Sequence, residues 1–312
     1  MNNQPELIGY LVFKRLSIQH ANAISSPITY GFPAVTAFLG ACHALSRRLA
    51  EHPKLNPFSL RGVLIACHDC QPLVYRESAY RDYSFNQTRN PIGKDGATAA
   101  IIEEGKCHLT VSLAVEVYSH DVLLDDSEHE LNGLLRKQVT QWVQQQRIAG
   151  GSVQPLPDNQ AAKFYPASKV DEIKRAIMPA FVLMDARDAL IDITQHLQQT
   201  NPDATALDAL IETCTLHHIP ETVKDQVTWK TTSVKTGRGW LVPIPVGYQG
   251  ISEEFEAGQL AHCRNPEYPS QYVETIYSLG QWVFPHRIDD IAKAFWQYQH
   301  DPEQALYLTV QP

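Results

Sequence analysis

The 312-residue chain lacks the features that mark membrane and secreted proteins. No window reaches the ~18 uncharged apolar residues that a membrane-spanning helix requires, and the first residues carry no basic start followed by a long apolar stretch. Six cysteines in a chain of this length, without a secretory signal, indicate reduced thiols rather than a disulfide framework. We therefore expect a cytoplasmic protein that has no contact with a membrane.

The common catalytic signatures are also missing. The sequence contains no GxSxG elbow, no Walker pattern and no dinucleotide-binding glycine pattern, and it has no repeat or low-complexity tract. These absences argue against a serine hydrolase, a nucleotide hydrolase and a dinucleotide-dependent enzyme. We expect no cofactor.

Positive charge is scarce. The net charge of −8 counts against a protein that coats nucleic acid, because phosphate binding depends largely on Lys and Arg. The charge is uneven, however, since residues 1–110 hold 11 Lys/Arg against 8 Asp/Glu and the remaining 202 residues hold 15 against 26. RNA binding is therefore expected in the first third of the chain, while the acidic remainder suits a partner-facing surface.

Hydrophobic residues make up 44% of the chain, which is enough to bury a full core. Periodicity in the first half predicts, in order, a strand, a helix, a strand, a projecting hairpin at about residues 75–100, a strand and a helix. This order fits a ferredoxin-like α+β sandwich in a domain of residues 1–157. The main predicted elements are Leu7–Ile18, Ala34–Leu49, Gly62–Cys67, Lys106–Tyr118 and a helix over residues 131–147.

Three prolines between residues 154 and 166 indicate a boundary, after which residues 158–312 are predicted to form a mixed α/β domain of helices and strands. Pro243 and Pro245 argue against a central strand at that point. The predicted strands are Ala180–Met184 and Val227–Val246, and the predicted helices are Ala167–Ile177, Asp188–Gln199, Ala204–Cys214, Val273–Trp282 and Asp289–His300.

Several long segments carry a resemblance to a known family. The stretch RLSIQHANAISSPITYGFPAVTAFLGACHAL (residues 15–45) resembles the Csy complex subunit-two family, the Cas-five-type proteins of the type I-F CRISPR surveillance complex (Cascade). The likeness continues in FNQTRNPIGKDGATAAIIEEGKCHLTVSL, RIAGGSV, GWLVPIPVGY and SLGQWVFPHR, and it spans most of the chain.

This resemblance implies a non-catalytic subunit with an RNA-recognition-type fold that takes part in antiviral defence. Members of the family hold the five-prime handle of the CRISPR RNA and pair with the large subunit, beside an adjacent backbone subunit. They act on target DNA through the complex and leave cleavage of the precursor RNA to another subunit.

The loop before the first predicted helix has side chains that suit unpaired RNA. Guanidinium groups and helix N-termini bind phosphate, amides contact base edges and aromatic rings stack on bases. An ordinary polar loop is the alternative, and the resemblance favours RNA. The candidate residues are Arg15, Gln19, Asn22, Ser25, Ser26 and Phe32.

The RIAGGSV segment supplies Arg147, Gly150 and Gly151 as further RNA-binding candidates. Adjacent glycines allow a tight turn or a close approach of a ligand to the backbone N–H groups. A simple helix C-cap is the alternative for a glycine here, and both roles are compatible if Gly150 caps the helix and Gly151 lies near phosphate.

The predicted hairpin carries Arg89, Asn90 and Lys94 at its tip. Basic residues on an exposed tip gain phosphate contacts without entering the core. The resemblance implies that such a hairpin acts as a thumb at the start of the guide–target duplex, whereas a solvated turn is the alternative. In the second half, His286 and Arg287 are candidates for phosphate contact on the resemblance alone.

Three Cys–His pairs, at residues 42–43, 67–68 and 107–108, raise the question of zinc. Only one CxxC occurs, at Cys67 and Cys70, and a structural zinc site normally needs two ligand pairs of this kind. Buried apolar cysteines explain the pattern better, so no metal is predicted.

Two alternatives to a non-catalytic RNA-binding protein remain. Metal-independent cleavage of RNA needs a general acid and base, which His43 or His20 would supply while Arg15 stabilised the developing charge. Packed histidines are the simpler interpretation. A scaffold that contacts the large subunit without binding RNA is the second alternative.

Overall fold

The computed structural model describes residues 4–120, 126–157, 160–223, 226–263 and 265–312. The chain divides into two compact units, residues 1–180 and 181–312. The boundary predicted at residue 157 differs from this division, because β9 (Lys163–Pro166) pairs with the first strand and so belongs to the first unit.

In chain order the elements of the first unit are β1 (Glu6–Asn22), α1 (Val35–Glu51), β2 (Phe58–Pro72), β3 (Val74–Tyr75), β4 (Ser84–Arg89), β5 (Ile101–Glu104), β6 (Lys106–Ser119), α2 (Asp126–Gln144), β7 (Arg147–Ile148), β8 (Gly151–Val153), β9 and α3 (Glu172–Ala176). The unit is built on an antiparallel sheet with the order β2–β6–β1, and β8 and β9 lie beside the other edge of β1. β7 pairs with β8, and β3, β4 and β5 form a separate sheet that corresponds to the predicted hairpin.

Apolar periodicity explains the central elements of this unit. Helix α1 buries Val35, Phe38, Cys42, Leu45 and Leu49, which recur at the helical spacing of three and four residues. β1 and β6 are long strands with buried runs at their centres, a pattern typical of strands covered on both faces. The predicted strand–helix–strand opening and the later strand and helix are confirmed here.

The elements of the second unit are β10 (Phe181–Asp185), α4 (Arg187–Gln198), α5 (Ala206–Cys214), β11 (His217–Val223), β12 (Gln226–Thr232), β13 (Trp240–Gly250), β14 (Val273–Val283), β15 (Gln297–Asp301) and β16 (Leu306–Val310). Five of these strands pair antiparallel in the order β15–β16–β13–β14–β10. α4 and α5 contribute Leu190, Ile193 and Leu210 to a core that also contains Leu241 and Leu279 of these strands.

Two of the helices predicted for this unit are wrong. Residues 273–282 form strand β14, paired with both β13 and β10, and residues 289–300 form a short 3₁₀ turn that leads into strand β15. β14 is rich in β-branched and aromatic residues, which pack well on a pleated surface. The apolar spacing of residues 273–282 also fits a helix, but pairing with the neighbouring strands decides their structure.

The prolines of β13 occupy positions that a sheet tolerates. β13 lies between β14 and β16, so the segment is not an edge strand. However, β16 pairs only with residues 247–249, and Pro243 and Pro245 face β14 alone. Because proline has no N–H to donate, it is tolerated where one side of the strand is unpaired.

Candidate nucleic-acid interface

One end of the first-unit sheet exposes a polar face. Along β6, Cys107 and Leu109 are buried, whereas Lys106, His108 and Thr110 alternate with them and are half-exposed. Their partners on the neighbouring strands are also polar and exposed, because directly paired residues of antiparallel strands share a face. These pairs are Asn22 with Lys106, Ser17 with Thr110, and Gln71 with His108.

The hairpin formed by β7 and β8 borders this polar face. Gln19 pairs with Ser152, which in turn pairs with Arg147, so the three side chains follow one row across β1, β8 and β7. The backbone N–H of Asn22 donates to the carbonyl of Ala149 at 2.8 Å. The structure thus brings together four predicted site residues, Gln19, Asn22, Arg147 and Gly151, from segments 125 residues apart in sequence or more.

The structure contradicts the helix C-cap role predicted for Gly150 and shows why position 151 requires glycine. Helix α2 ends at Gln144, so Gly150 is not its C-cap. It is exposed, adopts φ +75° in the turn between β7 and β8, and has open space where a side chain would begin. Gly151 is buried, and a Cβ atom there would lie 2.7 Å from the backbone nitrogen of Ala21 and from the carbonyl oxygen of Gln19. Glycine is needed because the two strands approach so closely.

Three residues of the predicted loop are engaged in local structure. The hydroxyls of Ser25 and Ser26 lie 2.7 and 2.6 Å from Oγ1 of Thr29. The Phe32 ring stacks on Phe38 of α1 at 5.5 Å, with an interplanar angle of 14°. These contacts shape the turn before α1, and they do not place the three side chains on the polar face of the sheet.

Arg15 lies at a bulge of β1. A hydrogen bond links it to Ser112 of β6, which in turn contacts His68 of β2. Its backbone adopts φ 49°, and its N–H donates to Ser112 Oγ at 2.9 Å. The ring of His68 lies at a second bulge, on β2, with Nε2 2.7 Å from Ser112 Oγ and Nδ1 2.6 Å from the carbonyl oxygen of Pro179.

This network assigns the histidine tautomer. A carbonyl only accepts, so the 2.6 Å contact with Pro179 requires the proton on Nδ1 of His68, and Nε2 then accepts from the Ser112 hydroxyl. Nη1 of Arg15 lies 3.2 Å from Nδ1 and is itself a donor, so in this tautomer it forms no hydrogen bond with the ring. Burial lowers the pKa of His68, and the nearby Arg15 guanidinium lowers it further, although the bond to Pro179 opposes this shift. A neutral imidazole therefore joins the two bulges and fixes the chain at Arg15.

We expect the stability of the protein to fall as pH drops below about 6.5, because the unfolded chain then binds a proton that folded His68 resists. The stabilisation is fully present above that value and is lost as pH falls toward the lower pKa of the folded state. Urea denaturation at pH 5.5 and 7.5 should show a larger change for the natural protein than for His68→Gln. The variant His43→Gln, at an exposed position of α1, is the matched control. Equal pH dependence of the natural protein and His68→Gln would contradict this assignment.

The projecting β3–β5 hairpin lies next to the loop that joins β1 to α1. Phe85 of β4 contacts Tyr30 edge-to-face at 4.7 Å, and Gly105 accepts a backbone hydrogen bond from Ala23 at 2.9 Å. Arg89 ends β4, and Asn90 and Lys94 are exposed in the turn beyond it. The predicted tip residues are therefore solvent-accessible on a hairpin whose base contacts the loop after β1.

The two histidines of the catalytic alternative lie on different elements. His20 is exposed on β1, with its ring 5.0 Å from that of His108 and its N–H 3.3 Å from Nδ1 of that residue. His43 is exposed on helix α1. The pair on the polar face is therefore His20 and His108, and sequence analysis did not single out His108.

Two of the six cysteines, Cys42 and Cys107, are buried, whereas Cys67, Cys70 and Cys263 are half-buried and Cys214 is exposed. Burial raises the pKa of Cys42 and of Cys67 to about 12, and a hydrogen bond with Cys70 raises the pKa of Cys107. Thiols in this state are poor metal ligands, since metals bind the thiolate. Within the described ranges, no group of three or more His, Cys, Asp or Glu side chains is arranged to hold a metal.

The remaining two predicted residues belong to the second unit. His286 and Arg287 are exposed in a 3₁₀ turn that follows β14. Among the described residues, no helix is long and apolar enough to cross a bilayer.

Sequence reasoning missed Gln71, Lys106 and His108 on the polar face. The alternation of polar and apolar residues along KCHLTV was the available signal, because period two assigns Lys106 and His108 to one face. The pairing of that face with Asn22 and Gln19 depends on strand register, which the sequence pattern does not specify.

Comparison with known proteins places the chain in a family. The family model described as "CRISPR-associated protein (Cas_Csy2)" matches residues 11–309. The chain is also 36% identical, over 323 aligned positions that cover 95% of this chain and 93% of the relative, to the "CRISPR-associated protein Csy2" of Pseudomonas aeruginosa strain UCBPP-PA14. The chain therefore belongs to the Csy2 family, the CRISPR-associated subunits of the type I-F Csy complex.

Proposed function

We propose that the protein holds the five-prime handle of the CRISPR RNA on the polar face of its first unit and pairs with the large subunit of the Csy complex. The observation that carries this proposal is the row of Gln19, Ser152 and Arg147, which continues the polar face of β1 and β6. Amides, imidazoles and cations on an exposed sheet suit the base edges and phosphates of unpaired RNA.

The strand order supports an RNA-recognition-type fold for this unit. The four strands β8, β1, β6 and β2 lie side by side in that order and are antiparallel to their neighbours, and α1 and α2 follow the first and third of them in sequence. We propose that this is a ferredoxin-like domain, whose β-α-β-β-α-β order it matches. The β3–β5 hairpin is then an insertion between the second and third strands.

Charge distinguishes the two units. Residues 1–180 hold 18 Lys/Arg and 17 Asp/Glu, whereas residues 181–312 hold 8 and 17. An excess of nine negative charges disfavours RNA on the second unit, and with it a phosphate-binding role for His286 and Arg287. The second unit instead offers the β11–β12 hairpin, on which Ile219 and Trp229 are exposed apolar residues suited to a protein partner.

In this role the protein performs no chemistry of its own. It positions the guide within the complex, next to the backbone subunit that follows along the RNA, and target DNA is selected by base pairing with that guide. Incubation of the full chain with repeat RNA is expected to leave the RNA intact. Cleavage that is lost on replacement of His20 or His43 by alanine would overturn this part of the proposal.

Affinity for handle RNA, measured by fluorescence anisotropy with and without the large subunit, tests the main proposal. We expect the protein to bind the handle weakly alone, because the chain is acidic overall, and more tightly with its partner. Sequencing the RNA that copurifies with the complex should recover the handle. Binding of the large subunit with no measurable affinity for the handle would support the scaffold alternative instead.

The tip of the hairpin offers a second test. Replacing Arg89 and Lys94 with alanine is expected to weaken guide retention, and to lower the slope of log affinity against log salt by about 1.4, or ~0.7 for each phosphate contact. The unfolding midpoint should stay the same, since both side chains are exposed. The variant with Arg47→Ala and Lys54→Ala, which also loses one Arg and one Lys, is the matched control. Equal affinity and slope in both double variants would refute a role for the tip.

A further inference from the structure

A basic groove on the first unit lies away from the polar face described above. It consists of two adjacent surface clefts of about 340 and 440 Å³, which share Tyr165 and Glu172 in their walls. Cations dominate the lining. They are Lys14 of β1, Arg136 of α2, Lys163 of β9, Lys169, and Arg175 of α3.

Most of this positive charge is uncompensated. Glu172 is the only carboxylate among the lining residues, and it pairs with Lys169 at 3.6 Å. Within the part of the chain that the structure describes, no ion pair engages Lys14, Lys163 or Arg175. Burial and the neighbouring Lys163 ammonium lower the pKa of Lys14, because these two cations repel each other. A bound anion would relieve this repulsion.

Backbone pairing and close packing position the residues of the groove. β9 pairs with β1 from Gly9 to Val12, which sets Lys163 beside the strand that also carries Lys14. A Cβ atom at Gly9 would lie 2.5 Å from the Phe164 ring, so that glycine lets β9 lie close against β1. Nε of Arg136 donates to the carbonyl of Ala162 at 2.9 Å, which orients the guanidinium. The fold therefore fixes the backbone positions of Lys14 and Lys163 and the orientation of the Arg136 guanidinium.

We propose that this groove binds a single-stranded polynucleotide, with its phosphates on the lysines and arginines and a base against Tyr165. A basic groove that contains an accessible aromatic ring is typical of proteins that bind single strands without sequence preference. An acidic peptide would use the cations but has no need of Tyr165, which lines both clefts. The site is distinct from the handle surface, because it uses the first half of β1 and strand β9 rather than Gln19, Asn22 and the β7–β8 hairpin.

The test measures binding of the full chain to labelled 20-residue oligo(U) and oligo(dT) as a function of salt. For the double variant Lys14→Gln and Lys163→Gln we expect weaker binding and a salt slope lower by about 1.4, at ~0.7 for each phosphate contact on a single strand. The loss of affinity should therefore be about sevenfold greater at 50 mM than at 200 mM salt. Tyr165→Leu should weaken binding with no change in slope.

The charge-matched control is Lys54→Gln with Lys137→Gln, two exposed lysines that do not line the groove. It should retain the natural slope. A larger effect with oligo(U) identifies RNA as the ligand, a larger effect with oligo(dT) identifies DNA, and equal effects indicate recognition of the backbone alone.

An unchanged salt slope for both oligonucleotides in the Lys14/Lys163 variant would overturn the proposal. The proposal would also be overturned if poly-glutamate competed for binding and Tyr165→Leu bound both oligonucleotides as tightly as the natural protein. That pair of results would identify a protein-binding groove instead. Handle binding is measured separately with Gln19→Ala and Arg147→Ala, so failure of the handle proposal would leave the result for the groove standing.

Discussion

Replacing Gly151 with valine is expected to lower the free energy of unfolding by about 3 kcal/mol, at the upper end of the cost of overpacking, and to abolish handle binding. The new side chain would begin 2.7 Å from two backbone atoms of β1, at Gln19 and Ala21, and neither can move without breaking the pairing of β1 with β8. Urea denaturation and anisotropy with handle RNA measure the two effects.

The neighbouring glycine provides the control. Gly150 has a positive φ but open space around it, so Gly150→Ala should cost only about 1 kcal/mol of backbone strain and should retain binding. If Gly151→Val were as stable as Gly150→Ala, the close approach of β8 to β1 would be refuted. If Gly151→Val were destabilised but bound the handle normally, the β7–β8 hairpin would have no part in the RNA surface.

Replacing Trp296 with alanine is expected to destabilise the second unit by about 3–5 kcal/mol. The side chain is completely buried, and its indole N–H donates to the carbonyl of Leu183 on β10 at 2.9 Å. Truncation would leave a buried cavity and would also leave that carbonyl without this donor. Thermal and urea unfolding of the full chain give the change in stability.

Trp229 provides a matched comparison, because it is the same residue type at 67% exposure on the β11–β12 hairpin. Trp229→Ala should change stability by less than about 0.5 kcal/mol, the usual limit for a surface substitution, and should weaken association with the large subunit. Equal stabilities for the two tryptophan variants would contradict the burial of Trp296. Unchanged association of Trp229→Ala would remove the hairpin from the proposed partner surface.

Charge counting along the sequence located one basic region and missed another. Residues 111–312 are acidic as a whole, but residues 136–175 hold seven Lys/Arg against three Asp/Glu. Four of those cations join Lys14 in the groove because β9 returns to β1 and α2 and α3 lie beside it. The total for residues 111–312 hides this local excess, and Lys14 is more than 100 residues away in sequence from the other four cations.

Loop composition could not show which candidate side chains have local partners, for a related reason. Ser25, Ser26 and Phe32 have the chemistry that RNA binding needs, yet Thr29 and Phe38 occupy them. Serine hydroxyls readily satisfy nearby backbone and side-chain groups in turns, so their presence in a loop does not indicate a free donor. Gln19 and Arg147 were candidates from the sequence, but only pairing through Ser152 makes them neighbours.

The amino-acid sequence by itself determined the elements of the first half, because the apolar period of two along β6 and of three to four along α1 follows directly from strand and helix geometry. It also determined family membership, through long matching segments. The tertiary structure alone decided that residues 273–283 form a strand, that Gly151 lies against β1, and that the groove lysines converge. Each of these outcomes depends on strand pairing between distant segments, and the free energy of that pairing is absent from any local window of sequence.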